Sequence, residues 1–179
     1  MDVYFVRHGQ TDWNITWKIQ GRTDIPINAC GRAQAEKMAT QLADVPFEKA
    51  YVSPLTRAQQ TARILLAGRN VPVYTQPALI ERDFGSFEGL RKEQFDFEAF
   101  WHPEVPCAAQ NAETAGEFYA RVQAFLRTLG GPGAVLLVAH GGVSIPVQMF
   151  TRNLGQSLGP DGVYTDMILP HGTIFRFSV

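Results

Sequence analysis

The sequence predicts an α/β protein: a mostly parallel sheet with helices on both faces, three layers in all. Three observations predict this class. Short, continuously apolar runs alternate with segments of helical period, the pattern of a sheet covered on both sides. Two of those runs end alike, in one intervening residue followed by His-Gly. No linker, repeat or low-complexity tract interrupts residues 1–179, which therefore read as a single domain.

Taken in order, Val3-Tyr4-Phe5-Val6 is the first apolar run and reads as a buried strand. Ala35, Met38, Ala39 and Leu42 follow at helical spacing, with Asn28 placed to cap that helix. Ala50-Tyr51-Val52 is the second strand. Ser53-Pro54 reads as an N-cap followed by a first-turn proline, and Leu55, Ala58, Ala62, Leu65 and Leu66 form one apolar stripe. Residues 77–112 fit neither period and carry Phe95, Phe97, Phe100 and Trp101, so they are expected to form a long excursion acting as lid or pocket wall. Thr114 and Glu117 have capping-box spacing and introduce Phe118, Val122, Phe125, Leu126 and Leu129, the clearest amphipathic helix. Val135-Leu136-Leu137-Val138 is a further strand. Met167-Ile168-Leu169 and Thr173 to Val179, with Pro170-His171-Gly172 between them, read as two strands joined by a turn.

Composition bounds the function. With 179 residues, 45% of them hydrophobic, the chain is long enough for a full core. A net charge of −1 and 18% charged residues exclude a global pull toward nucleic acid or an anionic membrane, so neither is expected as a partner. Any affinity for phosphate must come from a local cluster of cations. Two cysteines, Cys30 and Cys107, are too few for a disulfide framework, and no apolar run has bilayer-spanning length. The chain opens on a strand-like run rather than a signal-type segment. A soluble cytoplasmic protein is the expectation. Nothing in the pattern sets an oligomeric state.

The chemistry concentrates at strand ends. Val3 to Val6 leads through Arg7 to His8-Gly9, and Val135 to Val138 leads through Ala139 to His140-Gly141. Residues just past the carboxyl ends of strands line the ligand crevice of an open α/β sheet, and glycine beside each histidine would let a ligand approach the backbone. Either His-Gly alone reads equally as a hydrogen-bonded strand end. Arg57 lies near the start of the helix that follows the second strand, where the helix dipole and free amides favour anions. Two guanidinium groups and two imidazoles converging on one edge of a near-neutral chain match a phosphoryl dianion.

Four blocks in order carry a resemblance. They are Val6-Arg-His-Gly-Gln-Thr-Asp-Trp-Asn14 with Gln20-Gly21-Arg22-Thr-Asp24; Ser53-Pro-Leu-Thr-Arg57-Ala-Gln-Gln-Thr-Ala62; Leu79-Ile-Glu81-Arg-Asp-Phe-Gly85-Ser-Phe-Glu88-Gly89; and Val138-Ala-His140-Gly141. Together they resemble the histidine phosphatase superfamily, the phosphoglycerate mutase-like family, over nearly the whole chain. The resemblance implies a phosphoglycerate mutase-like fold and His8 as nucleophile. It implies that Arg7, Arg57 and His140 hold the phosphoryl oxygens, that Glu81 is the proton donor, and that no cofactor or metal is needed. Asn14, Gln20, Gly21 and Gly141 match positions near the phosphoryl group, and Lys92 matches a basic position of the mutases. Glu88 reads as structural, Glu113 as helix-terminal electrostatics, and His102 and His171 as structural or surface residues.

The resemblance leaves hydrolase and mutase open. Between Lys92 and Arg121 there is no lysine or arginine, so the paired arginines of the mutases are missing and phosphatase is favoured. The expected substrate is a small phosphorylated metabolite: a sugar phosphate, a nucleotide-related monoester, α-ribazole phosphate or a phosphoglycerate. Other classes fit less well. A metal hydrolase on His8, His140 and Asp24 lacks a H-x-x-x-H or H-x-x-E-H pair. A cysteine phosphatase needs arginine six residues after the cysteine, where Glu36 and Glu113 stand, and a kinase-type G-x-x-x-x-G-K loop is absent. A ligand-binding module that has lost catalysis would lack one of the core residues, all of which are present.

Overall fold

The computed structural model describes residues 1–159 and 161–179. Five strands form one sheet: β1 (Asp2–Arg7), β2 (Phe47–Val52), β3 (Val73–Thr75), β4 (Ala134–Ala139) and β5 (Ile174–Ser178), in the order β3-β2-β4-β1-β5. All pairings are parallel except β1 with the edge strand β5. The helices are α1 (Asp12–Ile15), α2 (Ala29–Gln41), α3 (Thr56–Leu65), α4 (Ala115–Leu126) and α5 (Ser144–Thr151).

Strand alternation divides the core into two layers. Val3 and Phe5 of β1 and Val135, Leu137 and Ala139 of β4 pack with α4 and α5 residues such as Phe118, Val122, Ile145 and Met149. Val6, Leu136 and Val138 point the other way, onto Met38 and Leu42 from the α2 region and Ala58, Ala62 and Leu65 of α3. All six side chains of β4 are buried, which accounts for the unbroken apolar run that marks it in the sequence. Asn28 caps α2 by accepting from the Gly31 amide, and Thr114 and Glu117 close the expected capping box on α4.

Two local expectations fail. Ser53 is not the cap of α3; that helix starts at Thr56 with Leu55 at the cap position and no side-chain cap bond, so Arg57 sits in its first turn. Met167-Ile168-Leu169 is not a strand. Thr165–Met167 is one turn of 3₁₀ helix, and side chains satisfy the carbonyls that a strand partner would have taken: Ser144 Oγ and Gln148 Nε2 donate to Met167 O, and Arg7 Nη1 donates to Leu169 O.

The excursion 77–112 holds four one-turn 3₁₀ helices and is packed as a wall. Phe84 and Phe100 stack at 4.3 Å between centroids, and the buried Arg82 guanidinium lies 3.6 Å from the Phe100 centroid. Trp101 is 1% exposed.

Candidate active site

β1 and β4 are parallel neighbours with Arg7 opposite Ala139, so the next residue on each strand, His8 and His140, emerges at the same sheet edge. Their ring centroids are 5.2 Å apart. The His8 Nδ1 lies 2.8 Å from Gly9 O. A carbonyl only accepts, so Nδ1 carries the proton and the lone pair sits on Nε2. Burial, followed by the charges of Arg57, His140, Arg7 and His171, holds the His8 pKa well below its ordinary 6.5, which keeps that lone pair available.

His140 is fully buried, and its Nε2 is 2.6 Å from Ser53 Oγ. Ser53 Oγ also accepts from Leu55 N, so the hydroxyl ties His140 to the backbone at the start of α3. The serine that sequence pattern assigned to a helix cap instead holds the His140 ring. His140 Nδ1, Arg7 Nε and Arg57 Nε are buried without a hydrogen-bond partner among the described residues. Buried polar atoms of this kind are costly unless a partner meets them.

Both arginines are anchored. Arg7 Nη1 donates to Leu169 O at 2.6 Å, while Arg57 donates to Thr23 O at 2.9 Å and Gly21 O at 2.7 Å. Burial lowers each guanidinium to about 10, with Glu81 opposing the shift, so both remain charged at neutral pH. Glu81 is 8% exposed; its Oε2 accepts from Gly142 N and its Oε1 from Arg82 N, both at 3.0 Å. Burial raises its pKa above the ordinary 4.5 despite these two bonds and the facing arginines. Its backbone carbonyl accepts from Arg121, which Glu113 holds in a two-pronged ion pair. Glu113 is thus part of the support for Glu81 rather than a helix-end charge.

Arg7, His8, Asn14, Gln20, Gly21, Arg57, Glu81 and Gly141 line one cavity of about 110 Å³, so the structure brings together most of the residues expected there. His140, with its ring 5.2 Å from that of His8, is not among the residues that line this cavity. Asn14 caps α1 reciprocally with Thr11, and Gln20 Oε1 accepts from Thr11 Oγ1. Glu88 is structural as expected, accepting from the Arg22 and Thr23 amides. A Cβ on Gly9 would lie 2.4 Å from Gly31 O, so that glycine serves packing, whereas Gly141 lines the cavity and a Cβ there would also lie 2.9 Å from Arg7 Cζ. Lys92 is outside the cavity, in an adjoining groove with its Nζ 4.6 Å from the Trp17 centroid.

Two residues escaped the sequence reading. His171 is structural rather than surface, and its place beside His8 was not expected: its Nδ1 is 2.9 Å from His8 O and its ring centroid 5.3 Å from that of His8. Burial, helped by Arg7, lowers its pKa to about 4. Only its Pro-His-Gly turn was visible in the sequence, and nothing local tied it to His8. Lys18 lines both the cavity and the groove, carried there by the turn after α1. Asp24 contributes to no metal-ligand set; its carboxylate accepts from Thr56 N and Oγ1, and no such cluster of three ligands occurs among the described residues.

The family model of the histidine phosphatase superfamily (branch 1) matches residues 3–150. The chain belongs to the histidine phosphatase superfamily. The superfamily relatives include the uncharacterized phosphatase PhoE of Bacillus subtilis, 36% identical over 142 residues, with 78% of this chain and 71% of that protein covered. The adenosylcobalamin/alpha-ribazole phosphatase of Salmonella typhimurium is 34% identical over 152 residues, covering 80% of this chain and 75% of its own. Among solved structures, the alpha-ribazole phosphatase of Shigella flexneri superposes with a TM-score of 0.80 at 28% identity, over 100% of this chain and 91% of that one. These relatives support a phosphatase. Among the described residues no helix is long and apolar enough to cross a membrane.

One prediction arises from the packing at Glu81. A Cβ on Gly142 would come 2.4 Å from Glu81 Oε1 and 2.6 Å from Trp101 Cη2. Gly142→Ala should therefore displace the carboxyl and lower kcat about 10²-fold, the scale expected of an ångström misplacement. The check is kcat measured at a temperature where circular dichroism shows the variant folded.

Proposed function

We propose that the protein hydrolyses a phosphomonoester of a small metabolite through a phosphohistidine on His8. The observation that carries this reading is the His8 imidazole, neutral and fixed as the Nδ1–H tautomer, at a cavity that also holds the Arg7 and Arg57 guanidinium groups and a buried carboxyl of raised pKa. In the first step the Nε2 lone pair attacks phosphorus, the P–O ester bond breaks, and the leaving oxygen takes the Glu81 proton. In the second, the Glu81 carboxylate takes a proton from water, the water oxygen bonds to phosphorus, and the P–N bond returns its electron pair to Nε2. Arg7, Arg57 and the His140 ring stabilise charge on the phosphoryl oxygens, with Asn14 and the Gly141 amide as further donors. Cationic side chains supply the charge that metal ions supply at many phosphoryl-transfer sites, so no cofactor is called on.

The names of two relatives support α-ribazole phosphate as one candidate substrate. Water is the acceptor in this reading rather than a second hydroxyl of the substrate. The test is a screen of metabolite phosphates, with and without 2,3-bisphosphoglycerate, scoring free phosphate against isomerised product. Free phosphate without dependence on the bisphosphate is expected; isomerised phosphoglycerate as the main product would make the protein a mutase.

A further inference from the structure

The catalytic cavity, at about 110 Å³, is well below the roughly 300–1,000 Å³ of sites that enclose an organic ligand. It suits a phosphoryl group and little more. A second groove of about 550 Å³ shares Arg7, Asn14, Lys18, Phe97 and Ile168 with it, so a leaving group bonded to that phosphoryl group extends there.

The rim of this groove is unusual in three respects. Trp17 is 59% exposed, and Ile15, two residues before it, is 57% exposed. Trp17 also holds φ at 58°, a left-handed conformation that a bulky side chain rarely adopts. Finally, the groove's charged side chains are all cationic: Lys18, Lys92 and Arg7 line it, with no aspartate or glutamate. A short antiparallel stitch assembles the rim. Ile19 N donates to Leu90 O, Gly89 N donates to Ile19 O, and Arg91 Nε donates to Thr16 O, which lays Lys92 against the Trp17 indole. Lys18 and Lys92 lie near indole faces and enter no ion pair among the described residues.

Resting on the phosphatase reading above, we propose that the leaving group is flat, aromatic or heteroaromatic, and carries its own negative charge. Trp17, with Ile15 and Ile168, would offer it an apolar face, and Lys18 and Lys92 would meet the anionic substituent. This differs from a neutral base such as that of α-ribazole, which would leave both lysines unused. It also differs from phosphoglycerate, which has no flat group for the indole.

The test compares 3-carboxyphenyl phosphate with its neutral match, 3-carbamoylphenyl phosphate, using phenyl phosphate as reference. The carboxylate is expected to be favoured roughly 10-fold in kcat/KM, mainly through KM, the scale of two partly solvated ion pairs. In Lys18→Met/Lys92→Met the carboxylate-to-carbamoyl ratio should fall to about 1. In Trp17→Ala the advantage of phenyl phosphate over glycerol 3-phosphate should shrink. Equal kcat/KM for the two substituted esters, or a preference that survives loss of both lysines, would overturn the proposal while leaving the phosphatase reading intact. Absence of phosphate release from every ester, phenyl phosphate included, would remove the phosphatase reading itself and this inference with it.

Discussion

His8→Ala is expected to lose about 10⁴-fold or more in kcat/KM toward an aryl phosphate, the range seen when a covalent nucleophile is removed. The variant should still fold, because the His8 ring is held by a bond to its neighbour Gly9 and by ring contacts at the sheet edge rather than by a core position. It should also still bind inorganic phosphate, since Arg7, Arg57 and His140, whose Nδ1 has no partner among the described residues, remain. A thermal-shift titration with phosphate separates lost chemistry from lost structure, as ligand binding to the folded state raises its apparent stability. Wild-type turnover in this variant would rule out His8 as the nucleophile.

Glu81→Gln should divide the two half-reactions. With a poor leaving group such as an alkyl phosphate, the first step loses its acid and slows by about 10²–10⁴-fold. With p-nitrophenyl phosphate the first step needs little help, yet the second still lacks its base. Stopped-flow should then show a burst of about one equivalent of nitrophenolate followed by slow turnover. The pH dependence follows from the shifts. Wild-type activity needs His8 unprotonated and Glu81 protonated. Because the His8 pKa is lowered, the acid limb of kcat/KM lies below 6.5; because the Glu81 pKa is raised, the alkaline limb lies above 4.5. Glu81→Gln should retain the first limb and lose the second. An unchanged alkaline limb in the variant would assign that titration to another group.

What was legible in the sequence had a short-range or repeated signature. The two strand–X–His–Gly runs could be matched because β1 and β4 are parallel neighbours in the register Arg7 to Ala139, so equal offsets in sequence become adjacent positions in space. Arg57 was legible because a strand-to-helix junction is a local pattern. The failures share a physical cause as well. Ser53 has the residue type and position of a cap, but a partner 87 residues away takes its hydroxyl. Met167-Ile168-Leu169 has strand-like composition, but Ser144, Gln148 and Arg7 claim its carbonyls. His171 bonds to a residue 163 positions away, and Lys18 reaches the cavity through a one-turn helix too short to announce itself. Position in the fold overrode local preference in each case.

The central claim is the covalent intermediate at His8. Its most direct measurement is rapid quench of the enzyme with a ³²P-labelled aryl phosphate, followed by digestion and location of the label. Base-stable, acid-labile phosphate on the peptide that contains Arg7-His8-Gly9 is the predicted result, strengthened in Glu81→Gln and absent in His8→Ala. Label on a different residue, or phosphate release without any labelled enzyme in Glu81→Gln, would contradict it.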